Sequence, residues 1–493
     1  MASSSPRPTL AGISQITQRV DDPGDAASPI QLMERAIREA AEDAGAPKMV
    51  ESLDEIYVPQ GTWQYGDPGK ILAEQLGSPG ARTMVGAISG HIVQILVNRA
   101  AQRISEGKAE IIAIVGGESE NSKRRLNRES RSLHWSDDVP GEPDERVGGM
   151  NFVTNDDEKD CGVIFKATTT FAICDVARRK ELGETPAQHR DRISKMYEDM
   201  SAISSANPYA WIQDQKTADE IRNPTPANRM VAYPYTKLMT SNISVDQASA
   251  LIICSEEAAA RFGVPDAKKV YLRASTEMSK TILLSERLEL ARHPGQKLAA
   301  ERALEMGKIA ANDIDHIDLY SCFPFAVQTG SEALGRDLEP LPSLTGGMTF
   351  FGGPFGNYVL HSKATMIERL RSDPGSIGAI GSVGGSFAHF SYGLYSTDPG
   401  DAGTPQIEDV SDEFAAMPRH PYAEKYTGGV TVESYTVDVL QNGPERVIFS
   451  TLNDDGARVW GRSHDEDLMQ ALLGDEDPIG RRGQIKEGIV ELS

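Results

Sequence analysis

The stretch Gly346 to Ser386, GGMTFFGGPFGNYVLHSKATMIERLRSDPGSIGAIGSVGGS, decides how this chain is read. It parses as a glycine-rich turn, a helix, a buried strand and a second glycine turn. The same order occurs roughly 265 residues earlier. There Gly86–Ser89 precedes the helical run Ile92–Glu106, the apolar strand Ile111–Val115 and then Gly116-Gly117-Glu118. A unit repeated at that distance predicts a duplicated domain, and glycines at matching ends predict two turns that approach one ligand closely. Upstream, the helical Ile37–Gly45 leads into the strand Leu53–Val58, and Ala300–Gly307 leads into Ile314–Leu319. Helices alternating with apolar strands predict parallel βαβ units in an α/β sheet, two or more per half.

At 493 residues the chain exceeds one typical core, so several domains are expected. A net charge of −22 argues against nucleic acid and against an anionic membrane surface as main partners. No apolar run reaches the ~20 residues of a membrane span. The start, MASSSPRPTLAGIS, has no apolar leader segment, which predicts a cytoplasmic protein with a flexible tail over its first eight or so residues. Four cysteines are present, Cys161, Cys174, Cys254 and Cys322, with no CxxC pair and no Cys/His zinc spacing. No metal site and no disulfide is expected. Cys174 and Cys254 lie in apolar periodic segments and read as buried thiols, whereas Cys161 follows DDEKD and reads as exposed.

From Ser119 the character changes. Asn121–Asp160 is polar and irregular, Ala167–Ser205 is strongly helical, and Asn207–Lys237 is rich in Pro, Asn and Tyr. Long irregular loops inside a domain are usually functional. Val245–Phe262 returns to strand and helix, and Lys269–Arg273 opens the second half. Pro399–Pro421 reads as a linker. Beyond it, Val430–Leu440, Arg446–Thr451 and Ala457–Arg462 alternate with period two, which predicts a small β domain or barrel with a structural or docking role.

The duplicated halves, VDQASALIICSEEAAARFG, IDLYSCFPFAVQTGSEALG and the GG…GGPFG…GGS series resemble the thiolase superfamily over about residues 9–400. The match is to the thiolase-like subgroup, often labelled acetyl-CoA acetyltransferase, with an additional C-terminal β domain. The resemblance implies an α/β fold of two βαβαβαββ halves in five αβαβα layers. A loop domain at about 119–237 is inserted in a first half of 9–265, with a second half at 266–400 and the extra β domain at 405–493. It implies coenzyme A as substrate or product, no tightly bound cofactor, and catalysis where two buried helix N-termini converge. It also implies a homodimer or a small partner protein.

The sequence departs from that pattern at the catalytic positions. A thiolase has a nucleophilic Cys at the start of the first-half helix, activated by the helix N-terminus and a nearby His. Here that position falls at or beside Gly90, flanked by Ser89 and His91. Ser89 reads as an ordinary helix N-cap before it reads as a nucleophile. The motif Asn becomes Tyr320, the His of His-Pro-x-Gly becomes Gly353 in Gly353-Pro354-Phe355-Gly356, and the second Cys becomes Ser382 in Ser382-Val383-Gly384-Gly385-Ser386. The substitutes are Tyr320, Tyr358 as a second phenol, Cys322 as the only thiol within a motif, and His361, His389 or His91 as a base. Thiolase-fold retro-aldolases, with tyrosines in place of the acid/base residues, resemble this pattern. For coenzyme A, loop position suggests Arg229 and Lys237 at phosphates and Ser241 and Asn242 near the pantetheine, with the glycine turns at Gly353, Gly356, Gly384 and Gly385. The remaining histidines, among them His189 and His293, read as surface residues.

Three functions follow. One is a thiolase-like acyltransferase that makes or breaks a C–C bond in an acyl-CoA thioester. Another is a retro-aldolase on 3-hydroxyacyl-CoA that uses Tyr320. The third is a non-catalytic CoA-binding subunit.

Overall fold

A computed structural model describes residues 5–136, 140–149, 153–164, 166–400, 403–474 and 476–493. The start of the expected N-terminal tail, residues 1–4, and residues 401–402 of the expected linker lie outside that set.

The strands in chain order are β1 (Pro8–Thr17), β2 (Glu55–Pro59), β3 (Arg82–Gly86), β4 (Ile111–Ser119), β5 (Glu145–Val147), β6 (Met230–Ala232), β7 (Tyr235–Thr236), β8 (Asp246–Ser255) and β9 (Tyr271–Met278). They continue with β10 (His316–Leu319), β11 (Ile377–Gly384), β12 (His389–Ser396), β13 (Gln406–Asp409), β14 (Gly428–Leu440), β15 (Gly443–Asn453), β16 (Arg458–Ser463), β17 (Arg482–Lys486) and β18 (Ile489–Leu492).

Two sheets carry the duplication. The first has the order β1-β8-β4-β2-β3-β5 and the second β10-β11-β12-β9-β13. Within them, β2 runs parallel to β4, β4 antiparallel to β8 and β8 antiparallel to β1. The second half repeats those directions with β10, β11, β12 and β9. It has no counterpart of β3 among the described residues, so the two halves are not complete copies.

The near-continuous apolar strands predict cover on both faces. The helices Ile92–Ser105 and Tyr358–Ser372 fill the layer between the sheets, which is why both are buried around most of their circumference. The helix Pro29–Asp43 covers the outer face of the first sheet, and Pro294–Gly307 that of the second. Five αβαβα layers result.

The C-terminal strands close on themselves in the order β15-β16-β18-β17-β14, with β14 also paired to β15. The alternation that predicted three of these strands misses β17 and β18, which are short. The barrel is not an isolated appendage. β14 pairs with β6 of the insertion at Asp438↔Ala232. Arg179 on the helix Ala167–Glu181 forks onto Asp477 at 2.7 and 2.9 Å, and Ser434 Oγ donates to the Ile173 carbonyl.

Among the described residues no helix is long and apolar enough to cross a membrane. All four cysteines are unpaired and buried; Cys161, expected at the surface, is 1% exposed because the barrel packs over it beside Trp460 and Arg462. His189 and His293 are also buried rather than exposed.

Candidate functional site

Both middle-layer helices begin without a side-chain cap: His91 precedes Ile92–Ser105 and Asn357 precedes Tyr358–Ser372. By contrast, Ser28 and Thr185 cap their own helices with full capping boxes. The starts of the two central helices therefore carry partial positive charge with no capping side chain, and the Ile92 and Gln94 N–H groups turn to the Ser89 and His91 carbonyls at 3.3 and 3.1 Å. A Cβ built on Gly356 would come within 3.6 Å of Ile92 Cγ2, which places the two helix starts side by side.

Gly90 sits at this meeting point. A Cβ there would lie 2.1 Å from the Val383 carbonyl oxygen and 2.5 Å from both Cζ and Oη of Tyr320. The phenol of Tyr320 thus occupies the volume that a side chain at position 90 would fill. Tyr320 is half-buried, its N–H donates to the Gly381 carbonyl, and its ring stands edge-on to Tyr358 at 5.7 Å. Burial pushes its hydroxyl well above the ordinary tyrosine value, so it is a donor at neutral pH.

Ser89 does not cap the helix. Its Oγ lies 2.6 Å from His91 Nδ1, and His91 Nε2 lies 3.0 Å from Ser279 Oγ. This pair fits only because residue 384 is glycine: a Cβ there would meet Ser89 Oγ at 2.0 Å and His91 Nδ1 at 2.6 Å. The His389 ring packs on His91 at 4.9 Å between centroids, and its Nε2 is 2.7 Å from Thr281 Oγ1. Nδ1 of His389 is buried and without a partner among the described residues. Burial holds His389 down to about 4, and burial together with the His389 ring holds His91 well below its ordinary value. Both rings are neutral at physiological pH, and His389 is the one with a ring nitrogen not already engaged, since Ser89 and Ser279 take both nitrogens of His91.

The turn that carries this cluster is strained. Gly385, Ser386 and Phe387 are all left-handed, with φ of +58°, +54° and +64°. Two of the three are not glycine, an arrangement that persists only where neighbours over-determine it. The neighbour is Arg287, whose guanidinium is 2.6 Å from the Phe387 carbonyl and 3.2 Å from that of Ser386.

The other expected residues are dispersed. Cys322, Ser241, Asn242 and Gly353 lie together: the Cys322 carbonyl accepts from Ser241 N at 3.0 Å, and Gly353 N donates to the Asn242 carbonyl at 2.8 Å. Cys322 is 8% exposed and burial pushes its thiol up, so it is not an activated thiolate. Tyr358 lies behind Tyr320. Its hydroxyl is 2.8 Å from Thr345 Oγ1, and Thr345 in turn donates to the buried Asp318 carboxylate. His361 is fully buried between Gln15 and Asn357 and is held at about 3 by burial, apart from the Gly90 cluster. Ser382 turns to Ser391 on the neighbouring strand. Arg229 donates to the Met230 and Val439 carbonyls at the barrel, while Lys237 is exposed.

Sequence reasoning missed Ser279, Thr281, Arg287 and Thr345. No motif marks them, because each acts through a partner distant in the chain. Asp318 was visible as an acid inside an apolar strand, and its burial is the sort of signal that flags function.

Residues 409–488 match the family described as the Thiolase-like protein type 1 additional C-terminal domain. An acetyl-CoA acetyltransferase from Methanothermobacter thermautotrophicus is 29% identical over 191 residues, 35% of this chain. That match spans 47% of the relative's own length. A crystal structure of a monomeric SCP2-thiolase like protein type 1 from Mycobacterium smegmatis superposes with a TM-score of 0.83 and 27% identity, covering 100% of both chains. The structure named Ltp2-ChsH2(DUF35) aldolase gives a TM-score of 0.58 at 18% identity, covering 81% of this chain and 100% of that one, a likeness of fold alone.

Proposed function

The chain is a thiolase-like protein with the type 1 additional C-terminal domain, and on that premise we propose that it cleaves or forms a C–C bond in a coenzyme A thioester without an acyl-enzyme. The observation that carries this reading is the Tyr320 phenol in the space where a residue-90 side chain would stand. A nucleophile at that position has no room, while a phenol donor is already there.

In the cleavage direction the substrate is a 3-hydroxyacyl thioester. His389, through its unpartnered Nδ1, takes the proton of the 3-hydroxyl. The C2–C3 bond breaks, C3 leaves as an aldehyde or ketone, and the electron pair moves onto the thioester as an enolate. Tyr320 and the uncapped N–H groups of the two central helices donate to that enolate oxygen. The proton on His389 then returns to C2, giving a shortened acyl-CoA. No net proton, electron or water is consumed. In this reading Ser241 and Asn242, which lie beside Gly353, are assigned to the pantetheine arm and exposed Lys237 to a phosphate. The name of one fold neighbour, an aldolase with a DUF35 protein, is the analogy from which the reaction class and a protein partner are taken.

A coenzyme A-binding subunit without turnover is the second reading. It is favoured by His91, both of whose ring nitrogens are already engaged by Ser89 and Ser279.

The test is incubation with a panel of 3-hydroxyacyl-CoA and acyl-CoA thioesters, followed by mass spectrometry of protein and small molecules. Expected are a carbonyl product and shortened acyl-CoA with no protein adduct. Tyr320→Phe and His389→Ala should each lower turnover by about 10²–10⁴-fold with coenzyme A affinity nearly intact. A stable acyl adduct sinks the non-covalent route, and bound but unchanged thioester selects the second reading.

A further inference from the structure

One short segment holds both histidines of the Gly90 cluster. Ser279, Lys280 and Thr281 directly follow β9. Ser279 Oγ lies 3.0 Å from His91 Nε2, and Thr281 Oγ1 lies 2.7 Å from His389 Nε2. The same nitrogen of each ring thus meets a hydroxyl from the same segment. The segment is fixed at both ends. Ser279 N donates to Ser411 Oγ at 2.9 Å, and Ser285 donates through N and Oγ to the buried Glu158 carboxylate at 2.7 and 2.6 Å. Leu283 and Leu284 are buried between these anchors.

A neutral imidazole has one N–H and one bare nitrogen. For His91 the position of the proton follows from Ser89. Ser89 is 9% exposed, and the one hydrogen bond its hydroxyl makes among the described residues is the 2.6 Å contact to His91 Nδ1. A buried hydroxyl proton with one partner in reach goes to that partner, so Nδ1 accepts and the ring proton sits on Nε2. For His389 it follows from the opposite side of the ring, where Nδ1 is buried and without a partner among the described residues. A proton there would be a buried orphan donor, which folded proteins tolerate less than an orphan acceptor, whereas a proton on Nε2 is received by Thr281. Ser279 is exposed and Thr281 half-exposed, so each hydroxyl can turn its own proton to water and a lone pair to the ring.

We propose that Ser279 and Thr281 are positioning residues that hold His91 and His389 in the same tautomer, protonated on Nε2 and bare on Nδ1. On His91 the bare nitrogen is spent on Ser89. On His389 it stays unspent, so Thr281 decides which atom of that ring serves as the base. This last step rests on the aldol reading; the tautomers themselves do not.

The test is a two-bond ¹H–¹⁵N correlation spectrum of the histidine rings in the full-length protein at pH 7, with His91 and His389 assigned by single substitutions. Both rings should show a protonated Nε2 and a bare Nδ1. Ser279→Ala and Thr281→Val should each weaken that preference about fivefold, the value of one ordinary hydrogen bond, and only in the ring that the residue touches. In the cleavage assay Thr281→Val should lower kcat at least in proportion to the lost Nε2–H population, with KM nearly unchanged. Thr281→Ser, which keeps the hydroxyl, should restore both spectrum and rate. A proton on Nδ1 of either wild-type ring, or a His389 tautomer that Thr281→Val does not move, overturns the proposal whether or not the protein shows turnover. Wild-type protein with both tautomers as stated but no cleavage sinks the aldol reading and leaves the tautomer assignment standing.

Discussion

Gly90 and Tyr320 form a steric pair, and their coupling is measurable. Gly90→Ala places a methyl group against a backbone oxygen 2.1 Å away and a phenol 2.5 Å away. Overpacking of this sort costs about 1–3 kcal/mol. Tyr320→Ala should remove the phenol part of the clash but not the Val383 carbonyl part. A double-mutant cycle by denaturant unfolding should therefore give a favourable coupling of about 1 kcal/mol in the double variant; strict additivity would show that the two do not share the space. The histidines make a second prediction at this scale. His389 is held near 4 by burial, so its folded value lies below the unfolded one. Stability from that depression is fully present above about 6.5 and is lost as pH falls through about 4. For the reaction, kcat/KM should stay level from about pH 8 to pH 5, without the usual histidine limb near 6.5. A limb near 6.5 would mean that a different base, or a solvated His389, does the work.

At the scale of elements, the barrel and the strained turn are joined through two arginines. Arg458 on β16 is 1% exposed, donates to the Ser285 and Arg287 carbonyls at 2.9 and 2.6 Å, and is paired with Glu433. Arg287 then holds the carbonyls of Ser386 and Phe387 beside His389. Trp460 of the same strand adds a bond to Ser285. The barrel thus buttresses the left-handed turn from behind. Arg458→Lys keeps the charge but loses the planar fork, so it should lower Tm by several degrees and slow turnover beyond any effect of Glu466→Ala, an exposed barrel position. Turnover unchanged in Arg458→Lys would show that the turn holds its shape without the barrel. Period-two alternation marked β14 to β16 as strands, but nothing in it marked Arg458 as the residue that reaches across. An arginine in a strand reads as solvent-facing until the neighbouring domain is placed.

At the scale of the whole molecule, the free edge of the first sheet is covered. β5, from the insertion, pairs in parallel with β3 at Met84↔Glu145, Val85↔Arg146 and Gly86↔Val147. An exposed edge is a template for pairing with another chain, and this one is already occupied by the protein's own backbone. Size-exclusion chromatography with light scattering should therefore return a single chain mass near 53.5 kDa, contrary to the dimer that the superfamily resemblance implies. A stable dimer would mean that β5 is displaced or that another surface is used.

The chain's own pattern determined the duplication, the layered α/β class, the position of the glycine turns and the strands at the start of the barrel. Those follow from local periodicity and from where the backbone must turn, and both are written in neighbouring residues. It also exposed the absence of a cysteine at Gly90, because a missing residue type is visible without coordinates. The tertiary structure decided what occupies the space instead. The Tyr320 ring comes from 230 positions away, Ser89 turns to His91 only because Gly384 leaves it room, and His293 is buried among Phe387, Phe390 and Phe414 rather than exposed. Each of these is a contact between segments whose apolar patterns would suit many partners. Periodicity says which face of an element is buried, and close packing of the folded chain says which atoms meet there.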